Sequence, residues 1–222
     1  MRPTNPLRTT KTMMSLIAVC LMALAAGPRA QTPPQTPPAN GQRGGGAAAP
    51  KLAVTSSAWP DGGEIPMKFA ARGDNKSPAF EFQWFSGVTP TTAPTTLQSY
   101  AIIFHDVENA SMRGPVDTLH WIAFNIPGTA TGLPEGLGLG NLPDGTINGA
   151  GLSRRNGNPG SYYGPGPGPG PFHHYVFEFY ALDIKLTIEP TATRDEVLKA
   201  MEGHIVGKSA YFGRFKAPNP GL

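Results

Sequence analysis

Residues Tyr100–Pro127 read YAIIFHDVENASMRGPVDTLHWIAFNIP. Two apolar runs, Tyr100–Phe104 and Trp121–Ile126, are short, rich in isoleucine and aromatics, and bounded by turn residues, which predicts buried strands. His105, Asp106 and Glu108 leave the first run, and Asp117 and His120 enter the second. If the two strands are neighbours, acids and a histidine gather at one edge of a hydrophobic sheet, where binding or chemistry is expected.

The sequence on either side repeats this pattern. Leu52-Ala53-Val54 predicts a first strand and Met67–Ala70 a second, separated by the turn Pro60-Asp61-Gly62-Gly63. Phe80–Phe85, FEFQWF, alternates as a half-buried strand does, and Tyr175–Leu182, YVFEFYAL, predicts a deeply buried one. His173 and Tyr175 then share a face with Phe177 and Phe179, while His174 looks the other way. Lys208–Phe215 supplies a last strand. One short helix is expected near the C-terminus, from Thr193 to Gly203. Its capping box is Thr193 with Glu196, its apolar stripe Val197, Leu198 and Met201, and its end residue Gly203. The fold class is therefore mostly β, an antiparallel two-sheet sandwich. Between Pro127 and Phe172, 22 of 46 residues are Gly or Pro, so that stretch is expected to be a long loop without regular structure. Its end, Tyr162 to Pro171, reads as a pocket rim or a spacer.

The chain has 222 residues and a formal net charge of +3. Arg2, Arg8, Lys11 and Arg29 lie within residues 1–30, where there are no acids. Removing those four from the 18 basic residues leaves 14 against 15 acidic ones, which argues against a nucleic-acid partner. Residues 1–30 read as a signal peptide: a basic start, then the apolar stretch Met13–Ala26. That stretch is shorter than the roughly 20 residues of a membrane-spanning helix, so no transmembrane anchor is expected. Cleavage after Ala25 or after Ala30 fits equally well. Cys20, the single cysteine, lies in the leader, so the mature protein has neither disulfide nor thiolate. A secreted protein without disulfides suits a bacterial periplasm or the extracellular space. Residues 31–50, QTPPQTPPANGQRGGGAAAP, form a linker too poor in apolar residues to fold alone, and the domain follows over 51–222.

The chain resembles the phosphatidylethanolamine-binding protein family, in its bacterial Raf-kinase-inhibitor-like branch. The matching residues are spread over about 51–215. They are Ser77-Pro78, Trp84, Tyr100–Asp106 with Glu108, His120-Trp121, and Asn125-Ile126-Pro127. They continue with Leu133-Pro134-Glu135-Gly136, the rim Tyr163-Gly164-Pro165-Gly166-Pro167, His173 with Tyr175-Val176-Phe177, and Met201-Glu202-Gly203-His204. The resemblance implies a small anion pocket that takes phosphate, a phosphorylated small molecule or a phospholipid head group. It implies ligand-binding roles for Asp106, His120, Gly164, Gly166, Pro167, His173 and Tyr175. It also implies a protein partner that is inhibited, since some relatives inhibit kinases or proteases. No catalytic residue, metal or cofactor is implied.

This chain departs from the family in three places. The family's Asp-Pro-Asp-Ala-Pro is Asp106-Val107-Glu108-Asn109-Ala110 here, which predicts a less rigid loop. Its His-Arg-Tyr is His173-His174-Tyr175, which removes a permanent cation. Its cysteine-containing rim is a Gly-Pro alternation.

Two neutral imidazoles, His120 and His173, are expected to donate hydrogen bonds to a phosphate oxygen, with charge assistance on protonation, and Asp106 to orient an imidazole or hold it protonated. The competing reading is a metal-dependent hydrolase built on His120, His173 and Asp106. His105 and Asp117 are expected to be loop or supporting residues, His204 a partner of the helix C-terminus, and Arg154-Arg155 solvated surface residues.

Overall fold

The structure, a computed structural model, describes residues 49–110 and 114–218. The leader 1–30, the linker up to residue 48 and the last four residues lie outside the described residues. Among the described residues, nine strands form two antiparallel sheets, with two short α-helices. Strands β1 (Lys51–Thr55), β2 (Phe80–Ser86) and β3 (Thr89–Thr91) make one sheet, and β6 (Gly132–Leu133) also pairs with β2. The other sheet has the order β7-β5-β4-β8-β9. Its strands are β4 (Ser99–Ala110), β5 (Asp117–Pro127), β7 (Ile147–Gly151), β8 (His173–Leu182) and β9 (Ile205–Phe215).

Period-two alternation sorts the side chains into two cores. Between the sheets lie Leu52, Val54, Phe80, Phe82, Trp84, Tyr100, Ile102, Phe104, Trp121, Phe177 and Phe179. Phe80 meets Phe179 at 4.8 Å edge to face, and Phe104 stacks on Phe177 at 3.9 Å between ring centroids. Each fully buried phenylalanine contributes roughly 1.5–3 kcal/mol of transfer free energy. On the outer face, Ala101, Ile103, Ile122, Phe124, Leu182, Val197 and Met201 form a second core. Helix α2 (Arg194–Met201) supplies part of it, with both halves of the Thr193–Glu196 capping box formed.

Two expectations are corrected. Met67–Phe69 is one 3-10 turn rather than a strand. Pro66 enters it at φ −61°, and the Phe69 and Ala70 amides donate to the Pro66 and Met67 carbonyls, which buries Phe69 and leaves Met67 outside. The stretch from Pro127 to Phe172 is also not free of regular structure, since it contains β6, β7 and the single turn α1 (Leu152–Arg155). Glycine is required in this edge strand. A Cβ on Gly151, at φ +146°, would sit 2.3 Å from the His120 carbonyl oxygen. Low strand propensity therefore concealed a strand whose backbone must come this close.

Candidate functional site

Strands β5, β4 and β8 are adjacent, and Asp106 on β4 lies opposite both Thr118 on β5 and Tyr175 on β8. A β-bulge then sets which way β5 presents its histidine. Phe104 pairs with Trp121 and the next residue, His105, pairs with Leu119, so His120 is the extra residue. Trp121 remains in the inter-sheet core and Leu119 packs on the outer core, which leaves His120 turned toward Asp106 and Tyr175. The two ends of the motif therefore divide. Asp106 and His120 reach the cavity. His105 and Asp117 pair on the outer face, where Arg194 also binds Asp117.

The cavity at this edge has a volume of about 290 Å³. Asp106, His120, Gly166, Pro167 and Tyr175 line it as expected, joined by Arg72, Asn109 and Tyr163. Gly164 and His173 are not part of the lining and act from behind it. Gly164 pins the rim: its amide donates to Asn75 Oδ1 at 2.8 Å, and a Cβ there would lie 2.0 Å from the Phe69 carbonyl oxygen. The Tyr162 hydroxyl adds a bond to that same carbonyl, and the Ala71 amide donates to the Pro165 carbonyl. The rim from Tyr162 to Pro167 is thus fastened to the turn that carries Arg72. Gly168 and Gly170 have open space around them.

His173 Nδ1 donates to Asp106 Oδ2 at 2.8 Å. Asp106 Oδ1 accepts from the Glu108 and Asn109 amides at 3.1 and 3.2 Å. The carboxylate itself therefore closes the loop that the family's prolines would have stiffened. Glu108 accepts from the His174 amide and ring at 2.6 Å. Burial of Glu108 opposes ionisation, but these bonds outweigh it and hold its carboxyl below the usual range.

His120 Nδ1 lies 2.8 Å from the Tyr163 carbonyl oxygen. A carbonyl can only accept, so Nδ1 carries the hydrogen, and in the neutral ring Nε2 presents a lone pair. The expectation that two neutral imidazoles donate to a phosphate is therefore corrected. Both Nδ1 hydrogens are committed within the protein, so Nε2 can donate only from an imidazolium. Burial pushes the His120 pKa down, while the Tyr163 and Gly164 carbonyls and Asp106 pull it the other way. The Tyr175 hydroxyl is buried beside the Asp106 carboxylate and the Gly166 backbone but makes no well-formed hydrogen bond among the described residues. Burial, and secondarily Asp106, raise its pKa far beyond the physiological range, so it stays a donor. Arg72, with no hydrogen bond or ion pair to a described residue, brings a permanent cation to the same space. Sequence reasoning missed Arg72 because only the pinned rim brings its turn to the cavity.

The proposed metal set does not assemble. Among the described residues, the group with ligand atoms within 4.8 Å of one another is Asp106, Glu108 and His173, without His120. Those atoms already serve one another, the backbone and His174. The His204 amide donates to the Met201 carbonyl at the helix end, as expected, and its ring bonds Asp183 at 2.9 Å. Arg154 is tied to the Gly149 and Asn148 carbonyls rather than simply solvated.

Residues 55–216 match the sequence profile of the phosphatidylethanolamine-binding protein family. A UPF0098 protein of Methanothermobacter thermautotrophicus is 39% identical over 164 residues, which cover 73% of this chain and 97% of that protein. The crystal structure of the phosphatidylethanolamine-binding protein homologue CT736 of Chlamydia trachomatis is 28% identical. It superposes with a TM-score of 0.62 over 76% of this chain and 99% of that one. Escherichia coli YbcL, at 22% identity, shares the fold with a TM-score of 0.60 over 76% of this chain and 99% of its own. The chain belongs to the phosphatidylethanolamine-binding protein family.

Proposed function

We propose that the protein binds a small anion, a phosphate or phosphorylated head group, in the cavity between Arg72, His120 and Tyr175. One observation carries this reading: Tyr175, a buried hydroxyl without a well-formed hydrogen bond, faces the same small space as Arg72, a guanidinium unpaired among the described residues. An unsatisfied buried hydroxyl costs about 1–3 kcal/mol, which a ligand oxygen would recover. The nearby carboxylate is already occupied by two amides and His173, so its repulsion of an anion is offset. The leader features, Arg2, Arg8 and Lys11 before Met13–Ala26, support secretion or a periplasmic location.

The test is a phosphorus NMR titration of phosphoethanolamine with the protein and with Arg72→Gln. Saturable broadening that weakens at least severalfold in the variant is the expected result. No perturbation at millimolar ligand contradicts the proposal.

A further inference from the structure

We infer that the cavity selects phosphomonoesters over phosphodiesters, because His120 and the bound phosphate must hold one proton between them. This rests on the anion-binding reading and concerns only the class of anion.

The Nδ1–H of His120 is spent on the Tyr163 carbonyl. A phosphate oxygen approaching the cavity side of the ring meets the Nε2 lone pair. Two lone pairs repel, so a stable contact needs a proton between them. A phosphomonoester can bring that proton, because its second ionisation lies near pH 6, close to the ordinary imidazole value of about 6.5. Whether the proton rests on nitrogen or oxygen, the complex has the same composition. A phosphodiester has no such hydroxyl near neutrality, so the imidazole must supply the proton and become a buried cation.

The surroundings of His120 set how hard that is. Burial disfavours the imidazolium most. Asp106 on β4 and the Tyr163 and Gly164 carbonyls of the rim favour it, whereas His105, when charged, opposes it. Across the cavity, the Arg72 cation opposes it as well, and Tyr175 on β8 is a neutral donor. Arg72 and Tyr175 donate to both ester classes, since neither can accept a hydrogen bond while protonated, and Arg72 adds to the discrimination only by opposing the imidazolium that the diester complex needs. Discrimination therefore falls to His120.

Methyl phosphate and dimethyl phosphate test this by calorimetric titration of the whole protein at pH 6, 7 and 8, beside His120→Gln and Arg72→Gln. The monoester should bind tighter at pH 7, by about tenfold for each unit by which the proton affinity of the imidazole falls below that of the phosphate. His120→Gln supplies an amide donor that needs no titration, so the preference should collapse toward equality. Arg72→Gln, at an exposed position, should weaken both esters and narrow their ratio without abolishing the monoester preference. Equal affinities in the wild type, or a preference that survives His120→Gln, would overturn the inference and leave anion binding standing. If neither ester binds, the anion-binding reading fails and takes the inference with it.

Discussion

Asp106 Oδ2 and His173 Nδ1 lie 2.8 Å apart across the β4–β8 pair, and the other oxygen of Asp106 caps two amides of the following loop. One buried carboxylate thus sets both a histidine's orientation and a loop's path. Asp106→Asn retains an acceptor for the amides but turns an NH₂ toward the His173 donor. Urea denaturation should show a loss of about 1–3 kcal/mol, with Asp106→Ala costing more because both amides lose their acceptor. A variant as stable as the wild type would contradict this role.

His120 gives a signed pH dependence of stability. Its folded pKa lies below the ordinary value of 6.5, chiefly through burial. The unfolded chain therefore binds the proton more readily. The contribution of His120 is fully present above about pH 6.5 and is lost as pH falls through the folded pKa. Thermal unfolding from pH 7.5 to 5 should show a decline that is smaller in His120→Gln. A decline of equal size in the variant would assign the effect to other groups. Added phosphate should raise the melting temperature more at pH 6 than at pH 8, because the complex retains a proton.

Gly164 and Gly168 form a matched pair of tests on the Gly-Pro rim. A Cβ at Gly164 meets the Phe69 carbonyl oxygen at 2.0 Å, whereas nothing lies within 4 Å at Gly168. Gly164→Ala should destabilise the protein by about 1–3 kcal/mol and weaken phosphate binding by moving the rim. Gly168→Ala should change stability by no more than about 0.5 kcal/mol. Urea midpoints and binding isotherms for the two proteins check this, and equal effects would count against the rim's attachment to the Phe69 turn.

The strands with strong patterns were legible in the sequence. Phe80–Phe85 alternates and Tyr100–Phe104 is continuously apolar, and these correspond to a half-buried strand and a central strand. The capping box of Thr193 and Glu196 located α2 for the same reason, its signal being local. The edge strand Ile147–Gly151 was hidden because its glycines answer to the backbones of neighbouring segments. In the site, Asp106, His120 and Tyr175 came together because adjacent strands carry them. The division of His105 from His120 depends on a bulge, and the tautomer of His120 depends on a rim carbonyl 43 residues away. Neither relationship has a local signature. Arg72 stayed hidden for the same reason.

The most direct test of the cavity's chemistry is a long-range nitrogen–proton NMR correlation of the histidine side chains, recorded on the protein at pH 7 with and without phosphate. Free His120 should show a protonated Nδ1 and a bare Nε2, and phosphate should move Nε2 toward the protonated position. A free His120 protonated at Nε2, or phosphate shifts confined to exposed His174, would rule out this placement of the proton.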